Sequence, residues 1–154
     1  MVCRVTKLFV ENILPIQSWK ILKENKTSVL VDVRDIKELL ISGLPDLKLI
    51  NKEVAHIPWK MLEQQDSDIA VDQYINKNFL SILREKIPDY STTIIFICRS
   101  GIRSGDAAIF SSYKGYQKCY NIIGGFEPNN TQYCWKISGL PWKKYDYDHN
   151  KKQC

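Results

Sequence analysis

Histidine is nearly absent from this chain: two in 154 residues, His56 and His149. The five cysteines (Cys3, Cys98, Cys119, Cys134 and Cys154) are odd in number, widely spaced and never in a CxxC pair. That combination argues against a zinc site and against a disulfide framework, and fits free thiols in a reducing compartment. No apolar run is long enough to cross a bilayer. The N-terminal apolar run stops at Glu11, so no signal peptide is expected and the chain reads as cytoplasmic, with no membrane partner. There is no repeat and no low-complexity linker. The net charge is +5, but the lysines are scattered apart from Lys143-Lys144 and Lys151-Lys152. Without a basic stripe interleaved with aromatics, a nucleic-acid partner is not expected.

What remains is an ordinary soluble composition, 44% hydrophobic and 25% charged, in a length suited to one domain. The expected domain spans 1–154, with a core of about 14–143 and a polar tail at 144–154. Hydrophobic patterning predicts helices over 15–25, 35–41, 72–86 and 104–114. In the third, Asp72 is the expected cap and Ile75, Phe79, Ile82 and Leu83 the inward face. Strands are predicted over 28–32, 52–57, 93–97 and 118–123. The stretch 43–52, with Pro45 and Asp46, reads as a surface loop. Strands alternating with helices give the α/β class with a mostly parallel sheet.

In open parallel sheets, ligands bind beyond the carboxyl ends of the strands. Four features directly follow a predicted strand: Asp32 with Arg34, Pro58-Trp59, Cys98 with its loop, and Gly124-Gly125-Phe126. Parallel strands would bring all four to one edge of the sheet, with Trp59, Gly124, Gly125 and Phe126 at the pocket rim.

The densest chemistry lies at residues 94–104, Ile-Ile-Phe-Ile-Cys-Arg-Ser-Gly-Ile-Arg-Ser. A β-branched run ends at Cys98, Arg99 and Arg103 follow, and Ser104 reads as the N-cap of a helix. A free thiol titrates at roughly pH 8.5, and cations or a helix N-terminus favour its thiolate. Gly101 allows the tight turn that aims backbone N–H groups inward. The expected product is a nucleophilic thiolate in a cradle for a small anion. A cysteine hydrolase would need a histidine base, and neither His56 nor His149 carries a local signature for one. Two reactions suit such a thiolate: attack on a sulfane sulfur to leave a persulfide, or attack on phosphorus. Four residues separate Cys98 from Arg103. The loop of protein tyrosine phosphatases is one residue longer, so this smaller ring favours sulfur. A cysteine-dependent phosphatase or arsenate reductase stays open as a lesser alternative.

Cys98-Arg99-Ser100-Gly101-Ile102-Arg103-Ser104 resembles the active-site loop of single-domain rhodaneses, the thiosulfate sulfurtransferase family. Leu30-Val31-Asp32-Val33-Arg34-Asp35 with Glu38 resembles that family's Asp-Val-Arg…Glu element. Gly124-Gly125-Phe126 and Trp135…Gly139-Leu140-Pro141-Trp142 resemble its C-terminal signature. The resemblance runs over about 14–143. It implies a rhodanese-like fold, a five-stranded, mostly parallel sheet flanked by helices on both faces. It also implies a ping-pong sulfurtransferase with no cofactor and no metal, the intermediate being a persulfide on Cys98. Cys98 would be catalytic, and Arg99, Ser100, Gly101, Ile102, Arg103 and Ser104 would bind the substrate. Asp32 and Arg34 would brace the loop. The partners implied are a small anionic sulfur donor and a thiol or cyanide acceptor. A sulfur-carrier or partner-docking module with little turnover is the second reading. His-Ile-Pro, which many members carry soon after the glutamate, appears here only at His56 to Pro58, which makes 43–52 distinctive. Cys119 opens a strand and Cys98 ends one, which would separate them by roughly 15 Å. A disulfide requires Cα atoms within about 7 Å, so Cys119 reads as packing. Cys134, after the Gly-Gly turn, could approach the rim.

Overall fold

Strand β7 (Thr93–Ile97) is buried at every position, as a central parallel strand covered on both faces must be. The computed structural model describes residues 8–61, 74–129 and 133–146. Its main sheet has the order β1-β8-β7-β2-β4, where β1 is Val10–Ile13, β8 Lys118–Ile122, β2 Val29–Asp32 and β4 Ala55–His56. All four pairings are parallel. Alternation along β7 divides the core. Ile94, Phe96 and Cys98 join Phe79 and Leu83 of α3 (Phe79–Lys86) and Ala107 and Ala108 of α4 (Ile102–Tyr113). Ile95 and Ile97 join Leu22 of α1 (Pro15–Glu24), with Phe126 and Trp135, on the other face. The chain thus has the rhodanese-like architecture expected from its sequence, helices covering both faces of a five-stranded parallel sheet.

Register places the site. Asp32 lies beside Ile97, Asn121 beside Phe96, and Asn12 opposite Asn121. The carboxyl ends of β2, β7 and β8 therefore finish together. Helix α2 (Ile36–Ser42) starts just past β2. The Asp35 carboxylate accepts from Lys37 N, and the Glu38 carboxylate accepts from Asp35 N at 2.9 Å. This reciprocal cap fixes Glu38 at the start of the helix.

Several sequence expectations need correction. Residues 43–52 are not a free surface loop. Leu44–Pro45 (β3) pairs antiparallel with Trp142–Lys143 (β9), and Leu44, Pro45 and Leu47 are buried. A 3-10 turn at Lys48–Ile50 follows. The strand expected over 52–57 shortens to β4, because only Ala55 and His56 pair with β2. The helix expected from 72 begins instead at Phe79. Asp72, its expected cap, lies outside the described residues. Tyr74–Ile75 (β6) pairs with Lys60–Met61 (β5), which leaves Ile75 54% exposed rather than inward. Helix α4 starts two residues early, after Gly101 in a left-handed conformation, φ +103°. Ser104 is therefore inside the helix and does not cap it. Among the described residues, no helix is long and apolar enough to cross a membrane.

Candidate active site

Cys98 sits immediately past β7 and is 1% exposed. Its Sγ accepts from Gly101 N at 3.1 Å and lies 3.1 Å from Ser104 Oγ. The loop from Arg99 to Gly101 curls so that a backbone N–H points back at the sulfur, a concavity suited to negative charge. Two glycines permit the curl. Gly101 has positive φ, and a Cβ there would stand 3.2 Å from the Ile122 carbonyl at the end of β8. Gly125, φ +64°, lies so close behind the loop that a Cβ would collide with the Arg99 carbonyl. Phe126 N then donates to the Cys98 carbonyl at 2.9 Å and to the Arg99 carbonyl at 3.1 Å. Gly124, Gly125 and Phe126, expected at the pocket rim, are instead buried and form the backing of the loop, because their backbone is held against the Cys98 and Arg99 carbonyls.

Two ion pairs flank it. Arg34 is fully buried and grips Asp32 through Nε at 2.9 Å and Nη2 at 2.6 Å. Nη2 also donates to the Gly43 carbonyl at 2.9 Å, and the guanidinium lies 4.3 Å from the centre of the Phe126 ring. One arginine thereby joins β2, the end of α2 and the backing of the cysteine loop. His56 Nε2 lies 2.7 Å from the Arg34 carbonyl and ties in β4. The second pair is half-buried: Arg103 donates to both Glu38 oxygens at 2.7 Å. Burial would raise the Glu38 pKa, but the hydrogen bonds from Arg103 and Asp35 N and the charges of Arg103 and Arg34 win, leaving it lowered. The Arg103 pKa is raised, chiefly by its hydrogen bond to Glu38. Of the two loop arginines, Arg103 is therefore already neutralised. Arg99 is exposed and forms no ion pair among the described residues.

The rhodanese-like domain model matches residues 16–129. The chain belongs to the rhodanese-like family. It is 38% identical to an uncharacterised protein of Rickettsia prowazekii, over 88% of this chain and 99% of that one. It is 27% identical to the thiosulfate sulfurtransferase GlpE of Actinobacillus pleuropneumoniae, over 89% and 95%. Among solved structures it is similar to Rv0390 of Mycobacterium tuberculosis, with a TM-score of 0.74 at 35% identity, covering 89% and 99%.

In this rhodanese-like chain the residues from Cys98 to Ser104, Asp32, Arg34, Gly124, Gly125 and Phe126 come together at one sheet edge. Trp59 does not join them and is not a rim residue. It is 3% exposed and packs on Phe79 and Phe110, with ring centroids at 4.9 and 5.2 Å. Its apolar ring fills the core between β4 and helices α3 and α4, which a solvated rim position would forfeit. Ser100 on the loop and Ile102 at the start of α4 are exposed, whereas Ser104 faces inward. Cys119 is buried beside Ile94, at the far end of the sheet from Cys98, and burial pushes its thiol up to about 12. Cys134 is buried, with Sγ accepting from Ile137 N at 3.4 Å. Two roles escaped sequence reading. The role of Glu38 as the clamp on Arg103 was hidden because their contact spans distant segments. Asn121 looked like an ordinary polar strand residue; its place at the carboxyl end of the strand beside Cys98 was the available signal.

Proposed function

We propose that this protein is a sulfurtransferase that carries sulfur as a persulfide on Cys98. The observation that carries the reading is the cysteine loop itself, with Gly101 N–H and the Ser104 hydroxyl both at 3.1 Å from Sγ. Family membership supports it at the level of the chemistry class. In the first half-reaction, Cys98 thiolate attacks the sulfane sulfur of thiosulfate or a similar anionic donor. The donor S–S bond breaks and sulfite leaves with its electron pair. In the second, a thiol or cyanide attacks the outer sulfur and returns the electron pair to Sγ. Exposed Arg99 meets the anionic donor, and Arg103, held by Glu38, orients the loop more than it binds. The chemistry calls for no metal or cofactor. It requires reduced thiols, in keeping with a cytoplasmic setting and with free Cys98, Cys119 and Cys134.

Steady-state assay with thiosulfate and cyanide tests this reading: thiocyanate should form with parallel double-reciprocal lines and vanish in Cys98→Ser. Turnover that survives Cys98→Ser would refute it. A Cys98-dependent release of phosphate from an aryl phosphate, without thiocyanate formation, would instead favour the phosphatase alternative. A docking role for 43–52 is less attractive, since Leu44, Pro45 and Leu47 are buried.

A further inference from the structure

Ser104 has one hydroxyl proton and two acceptors for it. Its Oγ stands 3.1 Å from Cys98 Sγ and 2.6 Å from Asn121 Oδ1. The orientation of the Asn121 amide is set by its other contacts. Nδ2 donates to the Gly101 carbonyl at 3.0 Å and to Asn12 Oδ1 at 2.9 Å. A backbone carbonyl only accepts, so Nδ2 must face Gly101, and Oδ1 is left facing Ser104. Both side chains are buried, Ser104 at 0% and Asn121 at 4%. Helix α4 makes room for this amide with Gly105, where a Cβ would stand 3.3 Å from Nδ2.

We propose that Asn121 is a positioning residue that competes with Cys98 for the Ser104 hydroxyl proton, making the hydroxyl a two-position donor that follows the state of the sulfur. With Cys98 as a thiol, S–H donates to Ser104 Oγ and the hydroxyl donates to Asn121 Oδ1, so every group is satisfied. When the S–H proton leaves to solvent, Sγ becomes purely an acceptor. The hydroxyl turns to Sγ and joins Gly101 N–H there. Asn121 Oδ1 then loses its donor inside the protein, a cost that opposes ionisation. In a persulfide, Sγ is neutral and singly bonded to the outer sulfur, so the hydroxyl returns to Asn121. When the acceptor attacks the outer sulfur, the S–S bond breaks and its electron pair stays on Sγ. The hydroxyl swings to meet that new charge. This last step rests on the persulfide reading; the competition for the proton does not.

Charged and titratable groups on the surrounding elements include Arg99, Arg103 and Asp106 on the loop and α4, Lys37 and Glu38 of α2, the Asp32–Arg34 pair of β2, His56 of β4, Glu11 of β1, and Lys118, Cys119 and Tyr120 of β8. None of their side chains hydrogen-bonds to the side chain of Ser104 or Asn121. Substitution at Asn121 leaves all of them in place.

The test is the pH dependence of Cys98 alkylation by iodoacetamide, located by peptide mapping, with no sulfur donor present. Asn121→Leu should move the midpoint down by about one unit, a tenfold gain in thiolate at fixed pH below it. Ser104→Ala should move it up. Asn121→Leu added to Ser104→Ala should no longer lower it. A midpoint unchanged or raised in Asn121→Leu would overturn the proposal, because simple loosening of the loop would not favour the thiolate. If Asn121→Leu fails to fold, Asn121→Ala removes the same acceptor without added bulk, and the same outcomes decide. Midpoints that move as stated in a protein that never takes up sulfur would retain this inference and refute the persulfide reading.

Discussion

The two arginine–carboxylate pairs beside Cys98 look alike in a contact map and differ in physics. Arg34–Asp32 has side-chain exposures of 1% and 0%, while Arg103–Glu38 has 19% and 30%. The first is enclosed, bridges three segments and touches the backing of the loop at Phe126. Its partners are indispensable to each other, because a lone charge at that depth would be left uncompensated. The second sits where water screens it, so its energetic share is smaller. Its value is directional: it fixes the first turn of α4, from which Ser104 reaches the sulfur. Depth thus assigns one pair to holding the fold and the other to aiming the site.

The comparison can be broken by substitution. Arg34→Met should cost about 3–5 kcal/mol in denaturant unfolding, since it strands the Asp32 carboxylate. Adding Asp32→Leu should recover much of that loss. If Arg34→Met costs less than about 1 kcal/mol, the buried pair is not a brace. Arg103→Ala should cost only about 1 kcal/mol of stability. It should nevertheless slow sulfur loading of Cys98 several-fold, so that stability and loading separate. Equal losses in both would erase the distinction between the pairs.

Acid sharpens the contrast. The folded pKa of Glu38 is depressed, so its share of stability is fully present above the unfolded value of about 4.3 and is lost as pH falls through the lower folded value. Unfolding measured between about pH 6 and pH 3 should show a shallower acid loss in Glu38→Gln than in the native protein. Identical slopes would remove Glu38 from the account. Arg99→Ala is the smallest perturbation. Stability should stay within about 0.5 kcal/mol, with a raised KM for thiosulfate and little change in kcat.

Much of this site could be read from residue order, because its logic is local to strand ends. A β-branched run ending at Cys98, and Asp32 with Arg34 after another, place chemistry at a sheet edge once the strands are parallel. What could not be read was set by distant pairing or by rotation about a helix axis. The seal between Leu44–Pro45 and Trp142–Lys143 is two residues long, too short to leave a periodic signal. Ser104 has the composition of a cap, yet the left-handed Gly101 starts the helix early and turns that hydroxyl inward. Trp59 follows a strand as a rim residue would, but its ring is taken by Phe79 and Phe110. Asn121 carries no pattern of its own and gains meaning only from its register beside Phe96 and from Gly105.

The central claim is that Cys98 carries sulfur. Intact mass measurement after incubation with thiosulfate tests it most directly. The native protein should gain one sulfur atom, removed by cyanide and absent in Cys98→Ser. A native protein that gains nothing, or a Cys98→Ser protein that gains as much, would contradict it.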